Sequence, residues 1–226
     1  RTASETGNAT NVRTSAGSCS FMFDSPSANS IIPDMPDPLL FVQLPQLDNL
    51  VKGDHENLYL AAACLEWAVR RSPLTRHLPI VRLPPELDRA SDETLFNAIL
   101  SIRPRYIACT VYLWNIERTL ALLRRIREVR PEIPLLMGGP EIARRHPLLG
   151  RGGPADVIVI GEGEMVLPRL LHGLDAGAPP LFACSAVRRN GRYVWGEALP
   201  EEADLAHDLP PPDWPVQPMR AGSTPG

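Results

Sequence analysis

Two clusters in this chain of 226 residues have the residue types and spacing of a binding edge. One is Gly138-Gly139-Pro140-Glu141, which closes the apolar run from Pro134 to Met137, and the other is Gly161-Glu162-Gly163-Glu164, which closes the run from Asp156 to Ile160. A buried parallel strand that ends abruptly in a glycine-rich, acid-containing corner is how an α/β sheet presents a ligand-binding edge. The glycines lack a Cβ, so the backbone can turn sharply there and a flat or bulky ligand can come close to peptide N–H groups. Two such corners on successive strands of one sheet are expected to form the two lips of a single crevice.

Several chemistries are poorly served by these residues. Gly161-Glu-Gly163 follows a strand and precedes a helix, as a dinucleotide fingerprint does, but Val166 stands at the third glycine position and the motif falls on the fifth strand instead of the first. No Gly-Lys-Ser/Thr follows either corner, which excludes a phosphate loop. A phospho-acceptor domain needs carboxylates after the first and third strands, and the chain has Leu44-Pro45-Gln46 and Thr110-Val111-Tyr112 there. His55, His77, His146, His172 and His207 are scattered without an HxxxH or a paired Cys/His spacing, so no metal ligands are assigned.

The elements that must position the corners alternate regularly. Leu39 to Leu44 suits a central strand, and Asn57 to Arg71 carries Leu58, Ala62, Leu65 and Val69 at helical spacing, with Arg70 and Arg71 where the helix dipole favours cations. Pro79 to Leu83 is a second strand, and Ser91 caps a helix through Ser101 with Asp92 and Glu93 in its first turn. Tyr106 to Val111 is the third strand. Asn115 is placed to cap the next helix, whose Ile116, Leu120, Leu123 and Ile126 share one apolar face while Arg124, Arg125 and Arg127 are expected to face water. After the two glycine-cornered strands, whose connector from Glu141 to Pro154 is short for a helix, a last helix runs from about Glu164 to Leu174.

This alternation predicts an α/β fold, a Rossmann-like, doubly wound, five-stranded parallel sheet. Asn190-Gly191 between two short strands predicts a β-hairpin appendage within residues 179–207. Residues 1–37 read as a flexible leader, apolar only at Phe21 to Phe23, residues 38–178 as the main domain, and residues 208–226, with DLPPPDWP, as a proline-stiffened linker. Basic residues number 23 against 26 acidic ones, a net charge of -3, which offers no global positive field to nucleic acid or an anionic membrane. Neither a secretion signal nor a long apolar run is present, and Cys19, Cys64, Cys109 and Cys184 are dispersed, so reduced thiols in a cytoplasmic protein are expected.

The series TVYLWNIERTL (110–120), LLMGGPE (135–141) and ADVIVIGEGE (155–164) resembles the cobalamin-binding domain at the N-terminus of B12-dependent radical SAM enzymes. The resemblance spans roughly residues 38–215, since the hairpin and the proline-rich linker are similar to the bridge toward those enzymes' barrel. It implies that the nucleotide tail of base-off cobalamin, as methylcobalamin or hydroxocobalamin, lies along the C-terminal edge of the sheet. By the same resemblance, Thr110 takes the place of a hydroxyl residue that hydrogen-bonds the dimethylbenzimidazole. Gly138 and Gly139, 28 and 29 positions on, make room for the tail, with Pro140 and Glu141 completing that corner. Gly161, Glu162, Gly163 and Glu164 line the other lip, and Tyr112 and Trp114 are placed to pack on the ring or corrin, with Trp114-Asn115 shaping the corner.

Two departures qualify the implication. Methionine-synthase-like B12 proteins carry Asp-x-His-x-x-Gly after the first strand, whereas here Asp54 and His55 are adjacent and no glycine follows at the needed distance, so no protein histidine is expected below cobalt. The CxxxCxxC motif that binds a [4Fe-4S] cluster in radical SAM enzymes is absent from these residues. The implied function is a corrinoid holder for a radical SAM enzyme of the methyltransferase kind, with the S-adenosylmethionine and iron-sulfur machinery in a barrel supplied in cis or in trans. A cofactor-free interaction module or a stand-alone corrinoid carrier is the competing reading.

Overall fold

The computed structural model describes residues 37–46, 59–144, 146–147 and 153–197. The expected leader, most of the loop after the first strand with His55, and the proline-rich linker lie outside these residues.

The described chain forms one sheet of seven strands in the order β2-β1-β3-β4-β5-β6-β7. The elements are β1 (Leu39–Val42), α1 (Leu60–Arg71), β2 (Ile80–Arg82), α2 (Asp92–Ile102), β3 (Tyr106–Thr110), α3 (Ile116–Val129), β4 (Leu135–Gly138), β5 (Val157–Val159), α4 (Leu167–Asp175), β6 (Ser185–Arg189) and β7 (Arg192–Trp195). Strands β1 to β5 pair in parallel, so all five deliver their C-terminal ends to one rim. The hairpin β6–β7 turns at Asn190 and Gly191, both at positive φ, as the Asn-Gly dipeptide predicts. It is not separate from the sheet: β6 pairs antiparallel with β5 through Val157↔Val187 and Val159↔Ser185.

Alternation along the strands divides the core in two. Leu40, Val42, Ile107, Cys109, Leu135 and Met137 face one layer with Leu95, Ile99, Leu120, Leu123 and Ile126 from α2 and α3. Leu39, Phe41, Tyr106, Ala108, Leu136, Val157 and Val159 face the other with Ala62, Val69, Leu167, Leu170 and Leu171 from α1 and α4. Strands buried on both faces need apolar residues at every position, which is why these runs lack the alternation of a half-exposed sheet.

The helix ends follow their sequence signals with two exceptions. Ser91 accepts from the Thr94 N–H at 3.1 Å, as an N-cap should. Asn115 stands at the N-cap of α3 but its side chain makes no capping bond to that helix. The arginines of α3 do not all face water: Arg125 lies 3.8 Å above the centre of the Phe96 ring and pairs with Glu93, while Arg127 is tied to Asp156 and to the carbonyl of Pro131. Long cationic side chains cover apolar surface with their stems while their heads find partners, so a helical position that looks solvated in sequence becomes a clasp.

Candidate functional site

The first contact that shapes the rim joins β3 to β4. Thr110 is in register with Gly138, the Val111 N–H donates to the Gly138 carbonyl at 2.7 Å, and the Glu141 N–H donates to the Val111 carbonyl at 3.3 Å. The chain therefore doubles back tightly against the end of β3. Gly139 has φ +118°, and a Cβ there would fall 2.5 Å from the Val111 oxygen and 2.7 Å from its nitrogen. Only glycine fits such an approach. Gly138 differs: a Cβ would meet Val159 at 3.7 to 3.8 Å, an ordinary contact. The two glycines that the sequence presents as a pair have separate roles, Gly139 closing the corner and Gly138 leaving space between β4 and β5.

That space is a cavity of about 470 Å³, within the ordinary range for a ligand site. It runs over the ends of β3, β4 and β5, between the sheet and the α1/α4 layer. Its floor is Ala108, Leu136 and Val159, and its outer wall is Ala61 and Leu65 of α1 with Leu167 of α4. Gly163 begins a short 3-10 turn beneath Leu65, where a Cβ would lie 2.9 Å from that side chain. At Gly161, φ is +77° and the space beside it is open.

Of the residues the sequence proposes for the site, Thr110, Tyr112, Gly138, Gly139, Pro140, Gly161, Glu162, Gly163 and Glu164 line this one cavity. The two glycine corners are thus on the same rim. Glu141 is not among the lining residues: its Oε1 lies 3.2 Å from His146 Nε2. Trp114 also stands outside, 52% exposed and stacked on Tyr112 with ring centres 4.6 Å apart, beside Leu113 at 74% exposure. The walls from α1 and α4 were not singled out by sequence, although the small Ala61 beside the helical apolar stripe is the signal that a helix face could approach a ligand there.

Thr110 is 5% exposed and lines the cavity, to which it brings a hydroxyl able to donate or accept a hydrogen bond. Glu162 and Glu164 supply the only charged side chains among the described lining residues, and neither forms an ion pair with a described side chain. Burial raises the Glu164 carboxyl above its ordinary value, and the Glu162 charge adds to the effect. On α1, burial and then Glu164 and Glu162 raise the Cys64 thiol. Burial alone pushes Cys109 up to about 12, which leaves it an inert thiol.

The sheet order changes direction between β1 and β3, the switch point where open α/β sheets commonly bind ligands. Here that point is plugged. Asn115, 1% exposed, accepts from the Tyr112 N–H at 2.8 Å and donates to the carbonyls of Leu44 at 2.9 Å and Thr110 at 3.3 Å. The free rim is displaced toward β5. No group of three or more His, Cys, Asp or Glu placed to hold a metal occurs among the described residues.

The sheet is Rossmann-like, with its cavity at the strand ends and glycine corners on both lips. Residues 83–171 match the family model described as "B12 binding domain", a stretch that includes β3, β4, β5 and both corners. Its relatives are B12-dependent radical SAM enzymes, as the sequence resemblance implies. The chain is 29% identical over 133 residues to the anaerobic magnesium-protoporphyrin IX monomethyl ester cyclase of Rubrivivax gelatinosus, covering 55% of this chain and 23% of that protein. It is 29% identical over 98 residues to the cobalamin-dependent radical SAM methyltransferase TokK of Streptomyces tokunonensis, covering 42% and 14%. The solved structure of apo OxsB, a cobalamin-dependent S-adenosylmethionine radical enzyme, has the same fold with a TM-score of 0.52 at 13% identity, covering 77% of this chain and 24% of that one. The matched region thus spans a quarter or less of the length of these relatives.

Proposed function

We propose that this domain binds cobalamin, with the nucleotide tail of the base-off corrinoid in the cavity at the ends of β3, β4 and β5. The observation that carries the reading is the space beside Gly138, roofed by Ala61 and Leu65 and lined at the end of β3 by Thr110. The residues suit such a guest. Apolar walls and floor accept a flat heteroaromatic ring, the Thr110 hydroxyl offers one hydrogen bond to it, and backbone N–H groups from Gly161 to Glu164 border the mouth.

When bound, the corrinoid supplies a cobalt-carbon bond from which a methyl group can be handed to a substrate. This chain's residues hold and orient it: Thr110 anchors the tail, Gly139 fixes the corner, and α1 keeps water from the ring. A radical SAM barrel, in cis or in trans, provides the [4Fe-4S] cluster and S-adenosylmethionine, and methyl transfer is the reaction class that TokK's name supports. Nucleic acid and membrane are not among the partners proposed, and the cytoplasm is the proposed location; no described helix is long and apolar enough to cross a membrane.

Titration with hydroxocobalamin tests the reading. A stoichiometric complex with a base-off corrinoid spectrum that survives gel filtration is expected. A chain that retains no corrinoid is the cofactor-free interaction module, whereas binding in a protein that never meets a barrel makes it a stand-alone carrier.

A further inference from the structure

We infer that Glu162 and Glu164 act as a charge filter on the cavity, admitting corrinoids whose peripheral side chains are amides and rejecting those in which an amide has become a carboxylate. This rests on the cobalamin reading above and adds a specificity to it.

The argument begins with charge balance. The described lining of the cavity has two carboxylates and no Lys, Arg or His, and neither carboxylate is neutralised by a described side chain. Elsewhere the protein pairs its buried and half-buried acids: Glu66 with Arg70 and Arg82, Asp156 with Arg127 and Arg188, Glu141 with His146. Leaving two uncompensated acids on one lip, one of them partly buried under α1, disfavours the free domain. Such a lip is suited to a guest that brings hydrogen-bond donors. Peripheral amides do so through N–H groups, which a carboxylate accepts in charge-assisted bonds. A carboxylate in the same place brings a like charge and no donor, close to Glu164, which is half-buried, and to Glu162, which is exposed.

Thr110 gives independent support that a polar guest belongs here. It lines the same cavity at 5% exposure and brings a hydroxyl that can donate to or accept from such a guest.

The experiment compares hydroxocobalamin with its propionamide-derived monocarboxylates, which differ from it by one amide-to-acid change, in the full chain at neutral pH. The reading is the ratio of each monocarboxylate's Kd to that of hydroxocobalamin. At least one monocarboxylate is expected to bind about tenfold more weakly, equivalent to about 1.4 kcal/mol. That ratio should fall toward one in Glu162→Gln, Glu164→Gln or the double variant, whatever each change does to the affinity for hydroxocobalamin itself. Ratios near one for every monocarboxylate in the unmodified protein, or a ratio unchanged in all three variants, overturn the filter while leaving corrinoid binding standing. Loss of all corrinoid binding in every glutamine variant overturns it too, by making the carboxylates ligands and not a filter. No binding of hydroxocobalamin to the unmodified chain removes the cobalamin reading as well.

Discussion

Asn115 Nδ2 donates to the carbonyl oxygen of Leu44, 71 residues earlier in the chain, at 2.9 Å. One amide thereby ties the end of β1 to the start of α3 and seals the point where the sheet order reverses. Replacing Asn115 with Ala strands a buried N–H and two carbonyls. The expected loss is about 2–3 kcal/mol of stability, from the cost of leaving buried polar groups unmet, and urea denaturation measures it. Asn115→Asp is expected to be no better, because it keeps the acceptor, loses both donor contacts and adds a buried charge.

Gly139 and Gly138 are expected to separate cleanly. Gly139→Ala forces a Cβ against the Val111 backbone at positive φ, so it should destabilise the domain, by about 1–3 kcal/mol or more, with or without a ligand. Gly138→Ala should leave the melting temperature nearly unchanged, because its Cβ makes only ordinary contacts with Val159. Gly138→Leu extends a side chain into the cavity and should weaken hydroxocobalamin binding at least tenfold, a loss of about 1.4 kcal/mol. Binding undiminished in Gly138→Leu would place the tail elsewhere.

The buried ion pair near the β2 edge offers a control remote from the cavity. Arg82 Nε lies 3.0 Å from Glu66 Oε2 with both side chains almost fully enclosed, and burial lowers the Arg82 pKa even as Glu66 opposes that shift. Glu66→Ala removes one carboxylate partner of a buried guanidinium and should destabilise the protein measurably in chemical denaturation, by up to about 3–5 kcal/mol. Double replacement by Met at both positions should recover much of that loss.

Stability should also record the strain at Glu164. Its folded-state pKa is raised, by burial first and then by Glu162, so the folded protein holds that proton more tightly than the unfolded chain does. Stability is therefore unpenalised below the ordinary glutamate range and declines as pH rises through the raised value, where the unfolded chain releases its proton first. Glu164→Gln should melt higher than the unmodified protein at pH 7, and the gap should close as pH falls below the ordinary glutamate range. A gap that widens toward acid would contradict this assignment.

The parts of this architecture written in local patterns were legible in the sequence. Leu39 to Leu44 and Tyr106 to Val111 are continuous apolar runs, Ser91 announces its helix, and Asn190-Gly191 announces its turn, because each signal depends only on neighbours along the chain. What depends on distant pairing was less legible. Asn115 reads as a helix cap until Leu44 is known to lie beside it, and Gly138 and Gly139 look interchangeable until Val111 and Val159 are placed on opposite sides. Glu141 shares its motif with the lining glycines, yet its carboxylate turns away to His146. The hairpin was foreseeable, but its attachment to β5 required the ladder from Val157 to Val187.

The plug at β1 and β3 makes the rim lopsided. Asn115 closes the sheet on the β1 side, and the cavity lies over β3 to β5. On the cobalamin reading, the corrinoid sits off the centre line of the sheet, and a single carboxamide outside the cavity lining sets that offset.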